Sequence, residues 1–258
     1  MSANPPKVIV VLPTYNEREN ITRIVPALFA LNIQNFHLLV VDDNSPDGTG
    51  QTAEDLANEA AYRGRISVLH RPEKQGLGPA YIQGFKRALA LGADLVIQMD
   101  ADLSHQPKYI PQLLEKAREC DVVIGSRYAA GGSVDEGWGP LRKLLSWWAN
   151  RVYTPAILHI PVLDATGGFR CYHRASLIGI DLDRVKANGY VFQVEMVYLA
   201  HRLGFLIGEV PIHFPDRQHG VSKMTGTIAF EAALRVWQIK LRHRALKPSD
   251  RRSGEYGD

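Results

Sequence analysis

Along the first half of the chain, short apolar runs alternate with longer segments whose apolar residues recur at helical spacing. Val8 to Leu12 is a β-branched run closed by Pro13, which reads as a strand buried on both faces, and a helix is expected to start near Glu17. The pattern then repeats as a strand at 36–41, a turn-rich loop at 42–48 and a helix at 49–62. A strand at 65–69 with a helix at 79–91, and a strand at 95–99 with a helix at 107–119, precede a strand at 122–125. Such alternation predicts an α/β fold with a parallel sheet covered by helices. Ligands of such sheets bind beyond the C-terminal strand ends, and the polar clusters of this half all fall there.

After Gly125 the regularity weakens. A Gly-rich loop at 129–139, an aromatic helix at 141–158 and a mixed segment to Phe214 lead to an amphipathic basic helix at 226–246. Without repeats or a low-complexity linker, residues 1–246 are expected to form one catalytic domain, and the polar stretch 247–258 a disordered tail.

Composition narrows the picture. A chain of 258 residues, 45% of them hydrophobic, can bury a large core. Its net charge of +3 is concentrated toward the C-terminal third, which points to an anionic partner, here not nucleic acid. Cys120 and Cys171 stand far apart with no His or Cys at zinc-ligand spacing, so a cytoplasmic, reducing setting is expected. The first apolar run is too short for a signal peptide and no stretch reaches the roughly 18 apolar residues of a spanning helix, so membrane contact is expected to be peripheral.

The sharpest chemical signal is MDADLSHQP, where Asp100 and Asp102 close a strand two residues apart and can address one hard cation, Mg²⁺ or Mn²⁺, together with a diphosphate. A second acidic loop, VVDDNSPDGT, brings Asp42 and Asp43 to the same rim, and two such loops repel unless a cation or donors lie between them. Asp47 and Gly48 read as a turn and helix cap, Asp43 as a partner for ribose hydroxyls or base N–H groups. PTYNE supplies Pro13, Tyr15 and Glu17, a composition suited to a nucleobase. Arg127 in IGSRY, Arg142 in PLRKLLS, Arg217 in PDRQHG and Lys223 in VSKM each sit beside a turn and are candidates for phosphate oxygens. GLGPAY lacks the third glycine of a dinucleotide fingerprint, and no P-loop or G-x-S-x-G elbow occurs. Trp147, Trp148 and Tyr153 with Arg142, Lys143 and Arg151 make an aromatic and basic mix suited to a membrane interface, and the last helix repeats it.

Taken in order, PTYNE, DDNSPDGT, KQGLGPAY, MDADLSHQP, GSRY, TGGFRCY and SKM resemble the dolichol-phosphate (polyprenol-phosphate) mannose synthases of the family 2 glycosyltransferases across nearly the whole chain. The resemblance implies a nucleotide-diphospho-sugar transferase fold and inverting transfer of mannose from GDP-mannose to a polyprenyl phosphate. It implies that Pro13, Tyr15, Glu17, Val41 and Asp43 line the guanosine pocket, and that Asp100, Ala101 and Asp102 meet metal, diphosphate and sugar. Arg217 and Lys223 would clasp the diphosphate, and Arg127, Arg142 and Ser146 would receive the lipid phosphate. Some relatives carry Gln two places after the second Asp as a further metal ligand; Ser104 stands there in this chain, followed by His105. Glu195, in FQVEM, lies where relatives place a general base and is read here as structural. Without spanning helices, the chain is expected to reach the cytosolic face of a membrane by surface helices or a small integral-membrane partner. The alternatives are a UDP-glucose enzyme on the same lipid, a haloacid dehalogenase-type phosphatase with Asp100 as nucleophile, and a noncatalytic lipid-binding adaptor.

Overall fold

The computed structural model describes residues 4–215, 226–254 and 256. The first half follows the expected alternation: β1 (Val8–Thr14), α1 (Arg18–Phe29), β2 (Phe36–Asp42), α2 (Thr49–Asn58), β3 (Ile66–His70), α3 (Leu77–Ala90), β4 (Leu95–Gln98), α4 (Ile110–Lys116) and β5 (Val122–Ser126). The second half comprises β6 (Ser133–Val134), α5 (Pro140–Trp148), α6 (Thr154–Leu158), β7 (Arg170–His173), α7 (Arg174–Ile180), α8 (Tyr190–Arg202), β8 (Ile207–Pro211), β9 (His213–Phe214) and α9 (Gly226–His243).

Seven strands form one sheet in the order β3-β2-β1-β4-β7-β5-β8. All neighbours are parallel except β7, which enters antiparallel between β4 and β5. The sheet is thus mostly parallel, and a four-residue strand without an alternating pattern is what the sequence periodicity did not separate from its surroundings. Two expected helices are also subdivided: 107–119 begins as a 3₁₀ turn at Pro107–Tyr109, and 141–158 is broken by a π-helical turn at Ala149–Tyr153.

Both sheet faces are covered, which is why the strands read as continuous apolar runs. From β1, Val8, Val10 and Leu12 pack against α1 and α4, while Ile9 and Val11 pack against α3 and α8. Gly84 lets α3 lie close on the sheet, since a Cβ there would collide with Val11. A third cluster joins Ile124 to α6, α8 and α9.

The C-terminal stretch departs from the expected disordered tail. Arg251 donates to the carbonyls of Leu203 and Gly204 at 2.8 Å each, Arg252 pairs with Asp181 at 3.0 Å, and the Tyr256 hydroxyl accepts the Leu182 amide. These polar side chains satisfy the carbonyls and amide at the ends of α7 and α8, a role that composition does not reveal.

Candidate active site

Register places the acidic loops side by side. Thr14 pairs with Asp42 and Asp42 with His70, so β1, β2 and β3 end level, and Met99 donates its amide to the Val11 carbonyl just before Asp100 leaves β4.

Both aspartates of the β4 loop are held by hydrogen bonds. The Tyr81 hydroxyl donates to Asp100 Oδ1 at 2.6 Å, from a ring fully buried between Phe85 and Phe192. Burial first, then the neighbouring Asp100 carboxylate, push the Tyr81 phenol well above its usual range, so it remains a donor. The Asp100 amide donates to Nδ1 of His105, whose ring stacks on Phe169 at 5.1 Å. Asp102 Oδ1 accepts the Ser104 amide at 3.1 Å and the Ser104 hydroxyl at 2.5 Å. Ser104, at the position where some relatives carry a further ligating Gln, is buried and directs its hydroxyl proton to Asp102. The floor is the TGGF backbone: a Cβ on Gly168 would stand 3.2 Å from the His105 ring and 3.5 Å from Asp100 Oδ2.

The donor set fits a hard divalent cation. Two carboxylates of this kind suit Mg²⁺ or Mn²⁺, which take their remaining ligands from water and substrate oxygens; among the described residues no three His, Cys, Asp or Glu side chains are placed to hold an ion by themselves.

Beside this loop, Asp43 is buried and forms an ion pair with buried Arg71, which also donates to Gln83 at 3.1 Å and Gln75 at 2.9 Å. Lys74 lies 3.5 Å above the Tyr15 ring, and Glu17 accepts from Asn20 at 2.6 Å. Arg71 follows β3 as Asp43 follows β2, and that shared strand-end position is the signal by which it could have been found. Val41 and Ala101 were expected to line the pocket, but both side chains are buried in the core, Val41 at 0% exposure. Strand alternation turns Val41 inward on β2, whereas Ala101, in the loop after β4, packs into the core beneath α1 and α4.

The β5 loop is organised by an acid absent from the expected set. Asp164, fully buried, accepts from Arg127 Nε at 2.7 Å, from its Nη2 at 2.6 Å and from its amide at 2.9 Å. Burial pushes the Asp164 carboxyl up, but the Arg127 charge and hydrogen bonds outweigh it and hold it below the usual carboxylate range. Arg127, expected to receive a lipid phosphate, thus has its guanidinium fork engaged on Asp164 and Thr166. Asn150 continues the network to α5 by bonding Thr166 and the Ser146 carbonyl, and the Tyr128 hydroxyl donates to Ser146 Oγ at 2.6 Å. Arg142 stacks 3.7 Å over Trp138. Arg217 and Lys223 lie outside the described residues.

Glu195 is fully buried on α8. It accepts the Lys186 and Ala187 amides at 2.8 and 2.6 Å through one oxygen, and Arg242 and His243 at 2.9 and 2.8 Å through the other. Burial raises its carboxyl, but the bonds from His243, Ala187 and Lys186 prevail and hold it below the usual range. It anchors α9, in keeping with its structural reading.

An α/β sheet with a two-aspartate loop at its topological centre defines a class that comparison makes explicit. The chain matches the description of glycosyl transferase family 2 over residues 9–180, and it belongs to that family. It is 43% identical to the undecaprenyl-phosphate mannosyltransferase of Micrococcus luteus over 243 residues, covering 93% of this chain and 98% of the relative. It is 44% identical to the polyprenol monophosphomannose synthase of Mycolicibacterium smegmatis, covering 91% of this chain and 88% of that one. The resemblance in the ordered motifs is therefore borne out, and the chain is a glycosyltransferase. Among solved structures, the fold is similar to glucosyl-3-phosphoglycerate synthase of Mycobacterium tuberculosis, solved with Mn²⁺, uridine diphosphate and phosphoglyceric acid (TM-score 0.65, 19% identity, 93% of this chain and 79% of that one). It is also similar to mannosyl-3-phosphoglycerate synthase of Rubrobacter xylanophilus (TM-score 0.64, 18% identity, 93% and 75%). The phosphatase alternative falls with this family membership.

Proposed function

We propose that the chain transfers mannose from GDP-mannose to a polyprenyl monophosphate, with inversion, at a membrane surface. The observation that carries this reading is the Asp100–Asp102 loop, braced by Tyr81 and Ser104, in a chain at least 43% identical to both named mannosyl relatives over nearly its full length. Incubation with radiolabelled GDP-mannose, Mn²⁺ and a polyprenyl phosphate should move label into the organic phase. Label that stays aqueous overturns the reading, and calorimetry with GDP against UDP separates it from the UDP-glucose alternative.

Asp100 and Asp102 would hold Mg²⁺ or Mn²⁺, which when bound neutralises charge on the departing diphosphate. Tyr15, Pro13, Glu17 and Asp43 would meet the nucleoside, with Arg71 fixing the Asp43 carboxylate. By motif position, Arg217 and Lys223 would bind the diphosphate. Arg142 and Ser146 would approach the lipid phosphate from α5, which Arg127 helps to keep in place through Thr166 and Asn150. A phosphate acceptor with a second pKa near 6 is already an anionic nucleophile at neutral pH. No general base is then required, and the chemistry rests on positioning and charge neutralisation.

Supporting this, Glu195 already accepts four hydrogen bonds. Glu195→Gln should lower stability, because the amide presents donors to groups that themselves donate, while turnover per folded molecule stays within about threefold. Turnover abolished with folding and GDP-mannose binding intact would sink the base-free account. Tyr81→Phe keeps the ring and removes one bond to a charged group, about 2 kcal/mol, so Mn²⁺ affinity in the presence of GDP should fall roughly thirtyfold by electron paramagnetic resonance titration. Unchanged affinity would mean that Asp100 needs no such support.

Membrane contact is proposed through α5. Leu141, Leu144, Leu145 and Trp148 form one outward stripe, all exposed, with Arg142 and Lys143 beside it. Among the described residues no helix is long and apolar enough to cross a membrane.

A further inference from the structure

Helix α9 carries three distinct faces. Val236, Ile239 and His243 are buried against α6 and α8. Nearly opposite, on a helix turning about 100° per residue, Leu234, Trp237 and Leu241 are 51%, 48% and 60% exposed. Their spacing makes a single outward stripe. Cations flank it on both sides, Arg235 and Arg242 on one and Lys240 and Arg244 on the other.

Between the Arg235–Arg242 side and the loop before α8 lies a notch of about 60 Å³, lined in part by Lys186, Arg235, Gln238 and Arg242. That is roughly twice a water molecule's share of liquid volume, ~30 Å³, and leaves room for one phosphate-sized oxyanion. The carboxylate beneath it, Glu195, is fully buried and shared between Arg242 and His243, while 42% of the Arg242 side chain remains exposed. Three cationic side chains, Lys186, Arg235 and Arg242, therefore border the notch.

We propose that α9 is a bilayer contact selective for anionic lipids: Leu234, Trp237 and Leu241 enter the acyl boundary, and the notch at Lys186, Arg235 and Arg242 seats a headgroup phosphate. This rests on the reading of the chain as an enzyme with a membrane-borne acceptor, and it adds a lipid site separate from the acceptor phosphate. The charge pattern selects the occupant. An apolar stripe edged by cations on both sides complements a negatively charged leaflet. A second copy of α9 would set like charges against each other.

Flotation of the full chain with vesicles of phosphatidylcholine, and of equimolar phosphatidylcholine and phosphatidylglycerol, tests it. The wild type should bind the anionic vesicles more tightly. The double variant Lys186→Gln, Arg235→Gln should lose about thirtyfold of that affinity, near fivefold per cation, with binding to neutral vesicles unchanged. Trp237→Ser with Leu241→Ser should weaken binding to both. Both sets lie on the surface, and thermal melts confirm that each variant is folded. Equal binding of the wild type to the two vesicle types, or wild-type anionic binding by the double variant, overturns the proposal. Trp147→Ser with Trp148→Ser separates it from the α5 contact. If only this pair loses binding, α5 stands and α9 falls; if only the α9 variants lose binding, the reverse holds.

Discussion

Replacing Asp102 by Asn is expected to lower turnover about a thousandfold, ~4 kcal/mol of transition-state stabilisation, in a protein that melts within a few degrees of the wild type. The expectation follows from what the substitution keeps. Asp102 Oδ1 accepts both the amide and the hydroxyl of Ser104, and an amide oxygen can accept the same bonds. Size and the bonds to Ser104 are thus preserved while the charge is removed. Loss of that charge weakens the hold on a divalent cation and on the diphosphate it would neutralise. The companion Asp100→Asn alters the carboxylate that accepts the Tyr81 hydroxyl and should also weaken Mn²⁺ binding. Turnover measured by organic extraction, alongside Mn²⁺ titration, checks both. An Asp102→Asn enzyme within tenfold of wild type would remove Asp102 from the chemistry.

What could be read from the sequence was whatever local pattern determines. Strands β1 to β5 and the acidic loops that follow β2 and β4 were legible, because a β-branched run stopped by a turn fixes both the strand and the exit of the next polar residues. Partners that come from afar were not. Arg71 meets Asp43 across 28 residues, Tyr81 reaches Asp100 from inside a helix whose apolar spacing makes it look like plain core, and Asp164 lies in irregular chain between α6 and β7. Motif position assigns Val41 and Ala101 to the pocket, but alternation along β2 buries the first and packing of the β4 loop against the core buries the second. The tail was taken for solvated chain because nothing local shows that Arg251, Arg252 and Tyr256 meet backbone groups and a carboxylate far upstream.

Asp164→Asn should be the most destabilising of these changes. The wild-type carboxylate, fully buried, compensates Arg127 through three hydrogen bonds and lies close enough to buried Arg170 for the two charges to attract. An asparagine would leave both guanidinium groups without that charge and turn an N–H toward donors. Removing one member of a buried pair costs about 3–5 kcal/mol, which in a chain of this size is a fall in Tm of roughly 10 °C. The pH dependence has a definite sign. Because the folded-state pKa of Asp164 is depressed, its contribution is complete above the unfolded value, near 4, and is lost as pH falls through the folded one. Glu209 works the other way. Burial first, then the Asp164 charge, raise its carboxyl although it accepts the Leu163 and Asp164 amides, so its contribution is present at low pH and lost as pH rises through its raised value. Asp164→Asn removes the first effect and, by removing a neighbouring negative charge, reduces the second. Melting curves from neutral pH down to about 3 should therefore show a variant less stable at neutral pH but flatter toward acid. A variant that keeps the wild-type acid slope would mean that Asp164 is not the carboxylate that sets it.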